Sequence, residues 1–265
     1  MKFARIYVLA FAFLAVACSG GGDSSGGDGD LGDASFCLGL PLGEKIINGS
    51  QCSNSQSPIV RIDLLGRNGN SAICTGNVIA SNKIVTAAHC FLFFPVESAS
   101  VNLGDSSIAV TEINLHPGVG TDGTNLALFN DVAVISTRRS LGRPTIPIVV
   151  SQDIEQGDAI GVQGFGLDES GEFGSSRGGA MLVSAVSENH IFAAFEGEGS
   201  NPCNGDSGGP ATFTLADGSV GIVGVVSSGN PETECFEGDV TLFTNLQTQS
   251  VLDFVLGLVP EAGLI

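Results

Sequence analysis

The sequence predicts an all-β protein, and three observations carry that expectation. Glycine is abundant, at 38 of 265 residues, while charged residues make up 14% and hydrophobic ones 43%. This balance suits many turns and short buried strands better than long solvated helices. Short apolar runs recur along the chain with turn residues between them, and helical spacing is persuasive only near the C-terminus. One all-β domain of about 200 to 250 residues is an ordinary size, so one main domain is expected.

Taken in order, the chain opens on a targeting segment. Lys2 and Arg5 give a basic start, residues 6–16 are apolar, and Ala15-Val16-Ala17 offers small residues for cleavage. The segment is too short to span a bilayer, and residues 1–17 are read as a signal peptide. Cys18 follows at once, a placement that resembles the lipobox of bacterial lipoproteins, where the cysteine after the cut is acylated. Ordinary signal-peptide removal would use the same three residues. Seven cysteines leave one over, and setting Cys18 aside leaves six for pairing in an oxidising compartment. Residues 19–33 are almost entirely Gly, Ser and Asp with no apolar face, as in a flexible tether. Residues 18–45 are therefore expected to form a lipidated tether and propeptide. The protein is expected outside the cytoplasm, either secreted or as a cell-envelope lipoprotein; Ser19 favours the outer membrane if the envelope is Gram-negative.

Residues 59–65 alternate apolar and polar side chains through Arg61 and Asp63, as a half-buried strand does. Residues 74–85 read as a strand, a turn at Ser81-Asn82-Lys83 and a second strand running toward His89. Another alternating strand covers 108–115, and Asp131 opens an apolar run to Ile135. Residues 138–147 are polar and contain proline, which suits a connection between two halves. Short apolar runs follow at 159–166, 180–186 and 191–195, and residues 213–226 form a hairpin around Asp217-Gly218. Val251, Phe254, Val255 and Leu258 then fall at helical spacing before Pro260.

A formal net charge of -18 and a pI near 4.2 argue against nucleic-acid or anionic-membrane binding through charge. No metal-binding constellation stands out, and no phosphate-cradling glycine loop follows a plausible strand. No cofactor is expected.

Chemistry concentrates in Asn204-Gly205-Asp206-Ser207-Gly208-Gly209-Pro210. A serine hydroxyl is a poor nucleophile at neutral pH and needs a base, with a third group to orient that base. The chain has three histidines. His89 lies in Val85-Thr86-Ala87-Ala88-His89-Cys90, and an aspartate in an apolar setting follows in Asn130-Asp131-Val132-Ala133-Val134-Ile135. Gly205-Asp206-Ser207-Gly208-Gly209 also satisfies the G-x-S-x-G pattern of α/β-hydrolases, but there the histidine follows the serine, and no histidine follows Ser207. The order His, Asp, Ser also differs from that of subtilisin. These three segments resemble the trypsin/chymotrypsin family of serine proteases, over about residues 46–260.

The resemblance implies two six-stranded antiparallel β-barrels of the trypsin-like fold with a C-terminal α-helix, and a protease domain over 46–265. It implies a serine endopeptidase acting on protein or peptide substrates. Ser207 attacks the carbonyl, His89 carries the proton, Asp131 orients His89, and the Gly205 and Ser207 amides form the oxyanion hole. His116 and His190 lack such context and are expected to be structural or exposed. The remaining aspartates, Asp206 apart, are expected to be solvated turn residues.

Lys45 before Ile46-Ile47-Asn48-Gly49 resembles the family's activation site. Cleavage there exposes an ammonium at Ile46 that pairs with the aspartate before the nucleophile, here Asp206, and an activating protease is the implied partner. The family's disulfides imply Cys74 with Cys90 and Cys203 with Cys235, which leaves Cys37 and Cys52 to pair across the cut. At the base of the primary specificity pocket stands Asn201 rather than a carboxylate. Ser227-Ser228-Gly229 matches the substrate-pairing strand, with Ser228 where the family usually has tryptophan, and Thr241 narrows the depth. The expectation is a small or medium uncharged residue before the scissile bond rather than Arg or Lys, unless Asp239 or Glu237 supplies a charge. Two other functions remain open to the sequence: an inert protease-like binding protein, and an esterase using the same three residues.

Overall fold

The structure, a computed structural model, describes residues 43–44, 50–52, 56–121, 127–168, 170–197, 199–233 and 235–265. Two short strands, β1 (Gly43–Glu44) and β2 (Ser50–Gln51), precede β3 (Ile59–Gly66), β4 (Ser71–Ala80) and β5 (Lys83–Thr86). A four-residue helix, α1 (His89–Leu92), leads to β6 (Val96–Asn102), β7 (Ser107–Leu115), the small pair β8 (Gly120–Thr121) and β9 (Leu128–Phe129), and β10 (Ala133–Thr137). The second half holds β11 (Ala159–Gly164), β12 (Arg177–Val186), β13 (His190–Phe195), β14 (Pro210–Thr214), β15 (Val220–Ser228) and β16 (Asp239–Asn245), and ends in α2 (Gln249–Leu258).

The strands close into two six-stranded antiparallel barrels. The first runs β10-β5-β4-β3-β6-β7. The second runs β12-β11-β14-β15-β16-β13 and is closed by β12 against β13, with β2 and β1 added beside β12. Residues 138–147 pass between the barrels, as expected, and dock through the Ile146 amide on the Val78 carbonyl at 2.9 Å.

The continuous apolar runs have a physical reason. Val134 on β10 and Val85 on β5 face a core shared between the barrels, while their neighbours Ile135 and Ile84 face the interior of the first barrel. On β15, Ile222 and Val225 join the shared core, and Val223 and Val226 join the interior of the second barrel. Strands buried on both faces lose the polar alternation of a half-buried sheet. Helix α2 closes the shared core with Val251 and Val255, and Val259 just beyond its end continues the stripe.

Strands β6 and β16, the two-residue strands β1, β2, β8 and β9, and helix α1 were not anticipated. Strand β6 is built largely from Ser, Ala and Val, a weak periodic signal; α1 is too short to show a period. Strand β16 buries Asp239, Thr241 and Thr244, so its polar residues point inward where the alternation rule expects apolar ones.

Candidate active site

His89 sits at the start of α1, where β5 has just ended and the Cys74–Cys90 disulfide ties the turn back to β4. Asp131 is fully buried, two residues before β10 and directly after Asn130, whose φ of 51° turns the chain toward the strand. Its carboxylate orients the histidine twice: Oδ2 lies 2.7 Å from His89 Nδ1, and Oδ1 accepts the His89 amide at 2.8 Å. Ser227 on β15 donates its hydroxyl to the same Oδ2 at 2.6 Å, and Thr244 on β16 donates to the Asp131 carbonyl at 3.1 Å. A carboxylate so far from water needs these donors, since a buried charge without partners is costly.

Ser207 comes from the second barrel, on the loop between residues 203 and 209. The first barrel holds that loop by its carbonyls. The Thr75 amide donates to Ser207 O at 2.8 Å, Thr75 Oγ1 to Gly205 O at 3.0 Å, and Asn77 Nδ2 to Gly208 O at 2.8 Å. Gly208 has φ +81°, and a Cβ there would stand 2.1 Å from Thr86 Oγ1, so the motif's glycine is required on both counts. The Gly205 and Ser207 amides, by contrast, donate to nothing among the described residues.

Asp206 points away from Ser207 into the second barrel. It accepts the Gly166 amide at 2.7 Å and the Cys203 amide at 2.9 Å. Its carboxylate lies so close to β11 that a Cβ on Gly164 would stand 2.0 Å from Oδ1. Burial pushes the Asp206 carboxyl up to about 6, against the pull of those amides and of the Arg177 charge.

Two hollows meet at His89 and Ser207. The smaller, about 230 Å³, is lined by Ser227, Ser228, Gly229, Thr241 and Asp239 together with the segment 202–204. Asn201 lies behind this lining, fully buried, accepting from Thr241 Oγ1 at 2.9 Å and donating to Asp239 Oδ2 at 2.8 Å. Asp239 also accepts the amides of Asn230 at 2.8 Å and Cys235 at 3.1 Å. The expectation of solvated aspartates is corrected here: Asp239 is buried in the pocket wall. Asp168 is buried as well, paired with Arg177 and accepting from Ser170 and Glu172. Each compact loop needs an acceptor for several inward-pointing amides, and a carboxylate meets that need best.

His116 and His190 are buried rather than exposed, and structural. His116 accepts the Gly118 amide at 3.0 Å and packs edge-on against Phe254; His190 Nε2 meets Leu128 O at 2.9 Å. The Cys203–Cys235 disulfide is present as expected. Cys52 is disulfide-bonded, while Cys37, Cys18, Lys45 and Ile46 lie outside the described residues. Among the described residues no group of acidic, histidine or cysteine side chains is arranged to hold a metal, and no helix is long and apolar enough to cross a membrane.

The supports the sequence did not reveal are Thr75, Asn77 and Thr244, and the second role of Ser227. Their signal was present in part: Thr75 and Asn77 are polar residues inside a buried strand, and such residues have hydrogen-bond partners.

A protein-family model described as Trypsin matches residues 46–252. The chain belongs to the trypsin family. It is a serine-type endopeptidase, and protein or peptide is its class of substrate. Similar proteins include Trypsin beta of Drosophila erecta, 31% identical over 62% of this chain and 71% of that one, and Trypsin delta of Drosophila melanogaster, 30% identical over 71% and 79%. Vitamin K-dependent protein C of Rattus norvegicus is 26% identical over 72% of this chain and 47% of its own length. Among solved structures, HL collagenase superposes with a TM-score of 0.67 at 23% identity, over 81% of this chain and 99% of that one, a likeness of fold.

Proposed function

We propose that this trypsin-family protease works through His89, Asp131 and Ser207 and is made as a precursor activated by cleavage after Lys45. The carrying observation is the buried Asp131 carboxylate held between His89 Nδ1 and Ser227 Oγ, with His89 and Ser207 lining the same cleft. Ser207 Oγ attacks the scissile carbonyl as His89 Nε2 takes its proton. The amides of Gly205 and Ser207 receive the developing oxyanion. His89 then gives the proton to the departing amine, and water repeats the sequence on the acyl-enzyme. A Ser207→Ala chain cleaved after Lys45 should lose peptide hydrolysis by three orders of magnitude or more. Esters cleaved at speed with peptides untouched would favour an esterase; no turnover of either would favour a binding role.

Activation finds support around Asp206. Ser50 and Gln51 pair with β12 opposite Gly178 and Arg177, and Arg177 in turn faces Gly164, the residue pressed against Asp206. Ile46 lies four positions before Ser50, a stretch that can span about 13 Å. A new Ile46 ammonium is thus within reach of a buried carboxylate that lacks an ammonium partner among the described residues. A Cys37 to Cys52 disulfide would keep the cleaved tether, and any lipid on Cys18, attached to the enzyme.

For the residue before the scissile bond, the uncharged preference rests on Thr241, which lines the hollow, and on Asn201 behind it, which accepts from Thr241 and donates to the Asp239 carboxylate. Asp239 favours a second reading, in which its carboxylate recognises a basic side chain. A peptide library decides: uncharged small residues support the first reading, and Arg or Lys preferences lost in Asp239→Asn support the second.

A further inference from the structure

The second hollow is the larger, about 580 Å³, and its character is different. Beyond His89 and Ser207 it is walled by Leu64, Ile73, the Cys74–Cys90 disulfide, Phe93, Phe94 and Phe173. Phe93 is 68% exposed and Phe173 55% exposed, although they come from segments far apart in the chain, one just after α1 and the other between β11 and β12. Two aromatic side chains left mostly in water along one cleft that also holds Ser207 mark a binding surface rather than an unfinished core.

The direction of the substrate follows from the proposed reaction, on which this inference rests. The part before the scissile bond becomes esterified to Ser207 and lies along Ser227-Ser228-Gly229, over the small polar pocket. The part after the bond must leave by the other side of Ser207, across the Cys74–Cys90 disulfide. We propose that this apolar hollow receives the side chains that follow the scissile bond, and that the protease selects large aromatic or aliphatic residues there more strongly than it selects the residue before the bond. Phe93 and Phe173 are the specificity-determining walls. Phe94 is the floor, held where its ring packs against Gly66, whose Cβ would stand 3.0 Å from it.

Partitioning of a preformed acyl-enzyme reads this side alone. The full chain, cleaved after Lys45, is acylated with one peptide ester, and water then competes with added phenylalaninamide, leucinamide or glycinamide. Attack by the amine forms a new C–N bond, breaks the bond to Ser207 Oγ and returns the amine proton through His89 to the serine. Competent sites are counted with an organophosphorus probe. The expected result is capture by the phenylalanine and leucine amides on the order of tenfold above glycinamide, falling severalfold per titrated site in Phe93→Ala/Phe173→Ala. Because both rings are more than half exposed, the double variant is expected to fold. Labelled enzyme that captures all three amides equally would overturn this inference alone. Failure to label would overturn the proposed reaction and this inference with it.

Discussion

At the scale of single residues, the orienting role proposed for Asp131 depends on donors beyond His89. Its Oδ2 accepts from both His89 and Ser227. Ser227→Ala leaves that oxygen with one donor fewer and His89 less firmly oriented. A fall in kcat of about tenfold, with KM little changed, is expected in hydrolysis of a chromogenic peptide, in keeping with a hydrogen bond to a charged group of about 1.5–3 kcal/mol. Asp206 gives a second prediction, with a definite sign. Its folded pKa of about 6 lies above the unfolded value of about 3.9, so between these values the folded, uncleaved chain binds more protons than the unfolded one. The stability it contributes is complete below about pH 4 and is lost as the pH rises through about 6. Denaturant titrations of the uncleaved chain should show that decline, and Asp206→Asn should remove it. His89, Asp131 and Ser207 were legible because each stands in a distinctive local string. Asp239 was not, because a buried carboxylate in a pocket wall has the same sequence signature as a solvated one in a turn.

At the scale of elements, β4 does more than close the first barrel. Thr75 donates through its amide to Ser207 O and through its hydroxyl to Gly205 O, and its hydroxyl accepts the Phe165 amide at 3.2 Å. One residue thus holds the loop around Ser207 by its amide and its side chain, and the same hydroxyl ties in Phe165. Thr75→Val keeps the shape and removes the hydroxyl; it should cost about 1–3 kcal/mol in thermal or denaturant unfolding and slow labelling of Ser207. Strands such as β3 and β7 were readable from alternation, and the β14–β15 hairpin from Asp217-Gly218. Strand β16 escaped because the site demands its buried polar residues, and β6 because small residues give little contrast between faces.

At the scale of the whole molecule, two barrels with separate interiors share a third core sealed by α2, and the cleft opens between them. His89 and Asp131 arrive from the first barrel and Ser207 from the second, so the site exists only when both are folded and docked. The sequence reached this architecture through its resemblance to a family, since neither barrel closure nor the shared core can be read from periodicity alone. The maturation scheme also belongs at this scale. If the uncharged preference holds, purified precursor remains a single chain on prolonged incubation, and a protease that cuts after lysine activates it. Electrophoresis of the cleaved form should release the propeptide only after reduction, if Cys37 and Cys52 are joined.

The central claim is tested most directly by mapping an organophosphorus adduct by mass spectrometry before and after cleavage at Lys45. The account predicts one adduct, on Ser207, formed rapidly only in the cleaved chain and absent from Ser207→Ala. An adduct on another residue, or none on folded and cleaved protein, would contradict it.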